Sequence, residues 1–485
     1  MIDKYYNGVI EQVVSGIGNV EHNSILVRYS NDFSIWDLES VNHYKDQSDI
    51  FFTCHEFSYN KIAEAYEPYL GLIRQMFHRY CSGTLEEFME ECDVYKLQRP
   101  VFESYFENGF CERTEQILID EVEYEQERMR NSIVTMLQKL SEIRPVVIVL
   151  NRFQLASKST MQLTNRLLQT KNKNIGIVLG VNDVQSIPEF AHEEWDAICE
   201  SMDDRNMVYH IGNAGRNMEP DVMDYYSDYE SDDGYRKLNN LVYFLDFDQA
   251  DHHLSKIERR IKFDNFTISE KKHYQLLLLQ IMVSVLQRDI AKALESCEDL
   301  EKLQDQEKEG AFYYNFWMAT SYMYLGKLEE AMIYVQKAKE CGEALGDDFL
   351  VFRAELLKAQ NQMSGWCNIF FCAQDIEISD KLIEKLNAYH YKNHLAHIYI
   401  YAYDNKPEIV AKAYRSEAFL IYFSKGVALA KEIGNEQLIS IAYRKNIMIA
   451  STNGEYEVSL LYSIRTYEAM KDVDSVEGGR IYSGI

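Results

Sequence analysis

The pattern of apolar positions changes character about halfway along the chain. In the first half, short uninterrupted apolar runs alternate with stretches of helical periodicity. The clearest run is Val146 to Leu150, which follows Pro145 and is rich in β-branched side chains. The other runs are Ser24 to Tyr29, Asp49 to Cys54, Asn174 to Val181 and the shorter Met207 to Ile211. Runs of this length, bounded by turn residues and separated by helices, predict a parallel α/β sheet whose strands are buried on both faces.

From about Lys237 onward the pattern is helical and repeats. Alanines that close similar motifs, Ala250, Ala293 and Ala331, lie roughly 40 residues apart, within the range of helical-repeat proteins. The residues that define the repeat are Ala319 and Tyr322 against a partner helix, Gly326 at a turn, Ala331 and Ala338 where two helices approach closely, and Gly454 at the turn of a later copy. The pattern resembles a tetratricopeptide repeat and predicts an all-α tetratricopeptide-like solenoid.

These two patterns predict the domain organisation. We expect an α/β domain over residues 1–212, an acidic linker over 213–236 and helical repeats over 237–485. The stretch from Asn217 to Tyr235 is acidic and rich in tyrosine, and its carboxylates repel one another. We interpret it as a flexible joint, with the docking of a basic partner as the alternative.

Composition narrows the classes of function. The net charge of −27 argues against nucleic-acid binding by this chain, because phosphate contacts need clustered lysine and arginine. No run reaches the length of a membrane span, and the amino terminus lacks the apolar core of a signal peptide. The 9 cysteines include no C-x-x-C motif. We therefore expect a cytoplasmic protein with reduced thiols and no membrane contact.

The first and central apolar runs lack the residues that nucleotide chemistry requires. A phosphate loop needs glycines and a lysine after the first strand, but Ser30 to Trp36 contains neither. Asn151 and Arg152 follow the central run, where two carboxylates would hold Mg²⁺ and activate water. An amide and a guanidinium cannot replace those carboxylates. We therefore predict no catalytic residues, no cofactor and no ATP hydrolysis.

Three other groups of polar residues have competing interpretations. Cys54, His55 and Glu56 are adjacent on a predicted strand, so their side chains point to opposite faces and do not converge on a metal. His390, His394 and His397 share one helix face, which suggests either a zinc site or ordinary packing; we predict no metal. The acidic residues between Asp120 and Glu127 predict a solvated helix face.

The α/β half resembles the nucleotidase domain of STAND-type signal-transduction ATPases, an AAA-like class. Phe51 to Glu56 followed by Tyr66 to Leu70 is similar to the second strand and its proline-containing helix, and Val146 to Gln154 is similar to the Walker B strand. Ile175 to Asn182 is similar to the strand that carries sensor 1. The resemblance implies a P-loop-NTPase-like fold in which Asn151, Arg152 and Asn182 occupy degenerate nucleotidase positions.

These observations favour a non-catalytic signalling protein. Its pseudo-nucleotidase domain would be structural or regulatory, and its helical repeats would bind a protein or peptide. One alternative is the sensor half of a larger STAND-type transcription regulator or nucleotide cyclase, since residues 479–485 look like the start of a further repeat. Another is a true ATP-dependent switch that holds phosphate with other residues, for instance Arg28 or Lys45. The sequence does not indicate the oligomeric state.

Overall fold

The computed structural model describes most of the chain. The described residues are 2–19, 23–29, 35–45, 49–58, 61–111, 113, 115–170, 172–182, 189–203, 208–211, 229, 231–264, 266–364, 380–401, 417–452 and 454–470. They form two compact units. The first unit consists of Met1–Val94, Arg99–Glu112 and Arg128–Ile257, and the second of Tyr95–Gln98, Arg113–Glu127 and Glu258–Ile485. Most of the acidic stretch predicted as a linker, residues 213–228, lies outside the described residues.

A parallel five-stranded sheet forms the centre of the first unit. Its strands are β1 (Ser24–Tyr29), β2 (Phe51–Glu56), β3 (Val146–Asn151), β4 (Ile175–Asn182) and β5 (Val208–Ile211). Their order is β2-β3-β4-β1-β5, so β4 lies between β1 and β3. This is the strand order of P-loop nucleotidases, and the predicted fold class is confirmed.

Burial explains why the central runs are continuously apolar. Every residue of β3 and of β4 is buried, because helices cover both faces of the sheet. In register, Leu150 of β3 lies beside Leu179 of β4, and Tyr29 of β1 beside Asn182 of β4. The carboxyl ends of β1, β3 and β4 therefore meet at one edge of the sheet, the usual location of ligands in such folds.

Helices connect and cover the strands. Up to Phe263 they are α1 (Ile2–Gly16), α2 (Glu39–Lys45), α3 (Tyr69–Tyr80), α4 (Leu85–Glu91), α5 (Arg99–Asn108), α6 (Val122–Ile143), α7 (Lys158–Gln169), α8 (His192–Asp203), α9 (Asp232–Tyr243) and α10 (Phe247–Phe263). Local signals fix several of their starts. Thr84 and Glu87 form a capping box at α4, and the hydroxyl of Ser157 accepts from the backbone of Thr160 at α7.

The second unit contains paired helices. They are α11 (Glu270–Leu286), α12 (Ile290–Lys302), α13 (Gly310–Tyr324), α14 (Leu328–Leu345), α15 (Asp348–Ser364), α16 (Asp380–Ala388), α17 (Lys392–Tyr401), α18 (Glu417–Ile433), α19 (Glu436–Thr452) and α20 (Tyr456–Met470). Successive helices such as α13 and α14, or α19 and α20, pack against each other. An apolar core of buried residues runs through the pairs from α11 to α15. The predicted all-helical second half is confirmed.

The prediction of a solvated acidic face between Asp120 and Glu127 is wrong. Glu121, Glu125 and Glu127 are 1%, 0% and 5% exposed. These residues belong to the second unit, in which Glu121 pairs with the distant His397 and Glu125 with the nearby Arg113. Glu123 alone of the four glutamates described there faces solvent.

Because α13, α14 and α15 pack closely, we expect a larger side chain in their shared core to destabilise the helical unit. Ala338 is fully buried in their shared core, whereas Ile333 on the same helix is 57% exposed. We expect Ala338→Leu to destabilise the helical unit by about 1–3 kcal/mol through overpacking, and Ile333→Ala to change it by less than about 0.5 kcal/mol. Hydrogen exchange of peptides from α13 and α14 measures both effects. Equal protection in the two variants would contradict the packing.

Candidate functional site

The end of β3 places Asn151 in a closed polar cluster. Asn151 is fully buried, and the hydroxyl of Tyr29, at the end of β1, donates to its Oδ1 at 2.8 Å. The intervening strand β4 leaves room for this contact because it has Gly180 at this level. A Cβ on Gly180 would lie 2.6 Å from Asn151 Oδ1 and closer still to the Tyr6 hydroxyl. Tyr6, Tyr29 and Asn151 therefore fill the space beside Gly180 at the sheet edge.

Arg152 is engaged by a carboxylate from the neighbouring strand. Its backbone is left-handed, with φ of 54°, and its Nη1 lies 3.1 Å from Glu56 Oε1. Glu56 ends β2 in register with Asn151, and its second oxygen accepts from the backbone of Ile35 at 3.2 Å. The pair is largely buried, with side-chain exposures of 17% and 10%. Arg152 thus forms a largely buried ion pair with Glu56 at this edge of the sheet.

Asn182 lies at the end of β4 and is 4% exposed. Its backbone N–H donates to Gln154 Oε1 at 3.3 Å, and Gln154 is itself fully buried in the turn after β3. The structure brings Asn151, Arg152 and Asn182 to the same edge of the sheet. It adds Tyr29 and Gln154, which the sequence did not single out, and Glu56, which the sequence analysis considered only together with Cys54 and His55.

The start of α7 is held by a second set of polar contacts. The buried carboxylate of Asp246 accepts from the backbone of Ser159 at 2.8 Å, and the Ser159 hydroxyl accepts from the backbone of Tyr66 at 3.2 Å. Burial raises the pKa of Asp246, although its hydrogen bonds with Ser159 oppose that shift. Lys158 next to it pairs with Asp248. Asp246 and Asp248 follow α9 in sequence, so no local pattern reveals their role at α7.

Beyond β2 lies a group of ionisable residues with displaced pKa values. His55 Nε2 is 3.4 Å from Glu67 Oε1, and Glu67 Oε2 accepts from the backbone of Glu64 at 3.0 Å. Burial lowers the pKa of His55 to about 4. Burial and the nearby Glu67 carboxylate raise the pKa of Glu64 to about 7. Cys54, whose pKa burial raises to about 12, does not converge with His55 and Glu56 on a single ligand position.

In the second unit, His394 and His397 each pair with a buried glutamate. His394 Nδ1 lies 2.8 Å from Glu115 Oε1, and His397 Nε2 lies 2.9 Å from Glu121 Oε1. Asn435 adds a hydrogen bond to Glu121 at 2.6 Å. Burial alone would raise the pKa of Glu121, but His397 and the amide donors outweigh burial and lower it. Within the described residues, no three or more histidine, cysteine or acidic side chains are grouped for a metal ion.

A buried ion pair lies within the same unit. Arg113 donates from its two terminal nitrogens to the two oxygens of Glu125, at 2.9 and 2.8 Å. Their side chains are 4% and 0% exposed. Burial would lower the pKa of Arg113, but the Glu125 carboxylate raises it above its ordinary value. Such a bidentate pair is geometrically specific, and losing either partner would leave a buried charge.

The repeat-defining residues lie on the helices and turns of the second unit. Ala319, Ala331 and Ala338 are fully buried between α13, α14 and α15. Tyr322 stacks on Tyr334 with ring centroids 5.5 Å apart. Gly326 and Gly454 have φ values of 72° and 77°, a conformation that favours glycine at the end of a helix. Across the described part of the chain, no helix is long and apolar enough to cross a bilayer.

The close contacts around Gly180 lead to a prediction about the stability of a variant with a side chain at this position. We expect Gly180→Ala to destabilise the first unit by about 1–3 kcal/mol, because the new methyl group displaces Tyr6 or Asn151. Gly8 is the matched control, since it lies exposed on α1 with no atom within 4 Å of an added Cβ. We expect Gly8→Ala to stabilise by about 0.5–1 kcal/mol. Urea unfolding measures both, and equal midpoints would contradict the close approach.

The displaced pKa values predict opposing pH dependences. The pKa of His55 falls from 6.5 to about 4 on folding, so its contribution to stability rises with pH across that interval. The pKa of Glu64 rises from 4.5 to about 7, so its contribution falls as pH rises across that interval.

As the pH rises from 4.5 to 6.5, the stability of His55→Gln should therefore fall by about 1–2 kcal/mol relative to that of the unmodified protein. The stability of Glu64→Gln should rise by about 1–2 kcal/mol relative to it over the same interval. Urea unfolding at several pH values in this interval measures the two trends. Parallel pH profiles for all three proteins would contradict the displaced pKa values.

Comparisons with known proteins show similarity at the level of structure. No protein-family model matches the chain, and no curated protein matches it. A solved structure that is similar is the crystal structure of a STAND (Signal Transduction ATPase with Numerous Domains) protein with a tetratricopeptide repeat sensor, from Pyrococcus horikoshii. The two chains are 12% identical, the match covers 94% of this chain and 82% of that chain, and the TM-score is 0.40. The chain is thus similar to this STAND protein, and the similarity assigns it no activity.

Proposed function

We propose that this chain is a non-catalytic regulatory protein. Residues 1–212 form a pseudo-nucleotidase domain with a structural or regulatory role, and residues 237–485 bind a protein or peptide partner. The observation that carries the proposal is the state of Asn151 and Arg152 at the end of β3. The first is buried against Tyr29, and the second is paired with Glu56.

These contacts oppose nucleotide hydrolysis for electrostatic reasons. Mg²⁺ prefers carboxylate oxygens and water, and it brings two positive charges to the site. Asn151 offers one neutral oxygen, which already accepts from Tyr29. The Arg152 guanidinium repels a cation and cannot accept a proton from water, because it stays charged in proteins. Restoring metal chemistry would therefore require breaking two buried contacts as well as supplying charge.

Features of the helical unit support partner binding. Tyr322 and Tyr334 form a stacked pair, with Lys327 5.6 Å from the first ring and Lys337 4.9 Å from the second. Nearby apolar side chains remain in solvent on α13, α14 and their connection: Tyr324 is 38% exposed, Leu325 46% and Ile333 57%. Aromatic and apolar groups beside cations are common anchors at protein interfaces.

The proposal predicts that the chain does not hydrolyse ATP and that restoring one carboxylate does not make it do so. We expect no ATP hydrolysis above the buffer rate, and no rise for Asn151→Asp, because a new carboxylate would lie buried against Tyr29 and near the Glu56 ion pair. Isothermal titration with ATP and Mg²⁺, together with phosphate release, measures binding and turnover. Thermal unfolding checks that the variant is folded. Turnover by the unmodified chain would contradict the proposal.

Glu56 favours one alternative, a nucleotide-dependent switch with unusual residues. It is a carboxylate in register with Asn151 at the same edge of the sheet. If it served as the base, ATP turnover by the unmodified chain would disappear in Glu56→Gln. Substitution of Arg28 or Lys45 by alanine would then test which cation holds phosphate. Turnover unchanged in Glu56→Gln would remove this alternative.

A further inference from the structure

β2 is an edge strand whose outer backbone groups pair with no other described segment. It pairs with β3 on one side and ends the sheet on the other. The backbone of Phe51 donates to Pro145, and that of Phe57 donates to Asn151, both on the β3 side. Because backbone groups alternate along a strand, the N–H and C=O groups of Phe52 and Cys54 point outward. No hydrogen bond from another described segment reaches them.

A groove runs along this outer edge. A cavity of about 480 Å³ is lined by five consecutive residues, Ile50, Phe51, Phe52, Thr53 and Cys54, together with the carboxyl-terminal parts of α2 and α3. Tyr44 of α2 contacts Phe52, with ring centroids 5.7 Å apart, and Tyr80 of α3 contacts Phe51 at 6.1 Å. The two helices thus lie against successive residues of β2. Consecutive residues of the strand line the groove between them.

The groove is cationic although the chain is acidic overall. Lys45 of α2 and Arg79 of α3 line it, and none of the described residues that line it is an aspartate or a glutamate. Neither cation forms an ion pair with a described carboxylate; Lys45 lies 5.8 Å from the Trp36 ring, and Arg79 5.5 Å from Tyr80. A second cavity of about 580 Å³ shares Phe51, Gln75 and Arg79 with the groove and adds Arg74 and His78. In a chain of net charge −27, this concentration of positive charge is local.

We propose that this groove binds an extended acidic peptide segment of a partner protein, which adds a strand to the sheet beside β2. The outward groups of Phe52 and Cys54 would hydrogen-bond the peptide backbone. Lys45 and Arg79 would select carboxylate side chains. Strand addition of this kind derives affinity from main-chain hydrogen bonds and specificity from the flanking side chains.

A peptide fits the groove better than a small anion does. Consecutive residues of one strand line it, and the outward backbone groups of such a strand match another backbone at the spacing of a sheet. The two cations lie on different helices, which contact successive residues of β2, so successive side chains of a paired peptide would project towards them. An unpaired edge strand is also an aggregation risk that proteins usually cover or charge. Lys45 and Arg79 provide that charge and allow pairing with an acidic segment only.

Binding of synthetic peptides to the full-length chain tests the proposal. The probe is an acetylated hexapeptide of sequence Val-Val-Glu-Glu-Val-Val, whose adjacent glutamates project to opposite faces of a strand, and its control has lysines in place of the glutamates. We expect the glutamate peptide to bind at least about tenfold more tightly, since charge complementarity at an interface rejects the wrong partner. Equal affinities, or no binding of either peptide, would overturn the proposal.

Substitutions separate the two features of the groove. Arg79→Glu should weaken the glutamate peptide at least about tenfold, whereas Lys308→Glu, an exposed lysine on a connection of the helical unit, should not. Cys54→Pro removes an outward N–H without removing a bond to β3, and Cys54→Val keeps that N–H. We expect loss of binding in the proline variant alone, with circular dichroism confirming its fold. Binding unchanged by Cys54→Pro would overturn strand pairing.

Two further measurements do not require a protein variant. N-methyl groups on alternate residues of the glutamate peptide remove the N–H donors along one of the peptide's two edges. Methylation of the odd residues and methylation of the even residues therefore block opposite edges, and only one of these two peptides should lose binding. Equal binding of both patterns, or full competition by inorganic phosphate at peptide concentrations, would mean a simple anion site and overturn the proposal.

A concentration-dependent dimer abolished by Cys54→Pro would assign the edge to a second copy of this chain instead and would also overturn the proposal.

Discussion

A polar side chain removed from water must find a partner inside the protein, and both units are built around this constraint. In the first, the hydroxyl of Tyr29 donates to Asn151 Oδ1, and Arg152 pairs with Glu56. In the second, Glu121 is satisfied by His397 and Asn435, and Glu125 by Arg113. Leaving such a group unpaired would cost a large fraction of the stability of a typical domain. The identities of these partners therefore determine which segments of the chain can lie together.

The same constraint is the physical basis of our proposal that the sheet edge does not support nucleotide hydrolysis. A site for Mg²⁺ needs carboxylates that keep their charge and remain open to water and phosphate oxygens. At the end of β3, the Oδ1 atom of Asn151 and the guanidinium of Arg152 already have partners within the protein. The architecture of a nucleotidase and the chemistry of one are thus separable. The strand order depends on apolar runs, whereas activity depends on a few polar residues at the strand ends.

The sequence predicted the strands well because burial on both faces leaves a continuous apolar signal, as at β3 and β4. It predicted the turn at Gly326 because a left-handed residue between helices favours glycine. It could not predict that Glu115 and Glu121 pair with His394 and His397. Those pairs are 279 and 276 residues apart, and a run of glutamates has the same local pattern whether solvated or paired. The sequence could not predict the contact between Asp246 and Ser159 for the same reason, since these residues are 87 positions apart.

The segment Arg113–Glu127 has a consequence for dissecting the molecule. It belongs to the helical unit although it lies far upstream of α11, and the chain returns to the first unit after it. A fragment beginning at Glu258 would retain His394, His397 and Asn435 but lose Glu115 and Glu121. One cut in the polypeptide therefore cannot liberate an intact helical half. Gene fusions or limited proteolysis that treat the units as two consecutive segments would yield a helical fragment whose buried histidines lack their glutamate partners. Adding the stretch Arg113–Glu127 as a separate peptide would supply those partners.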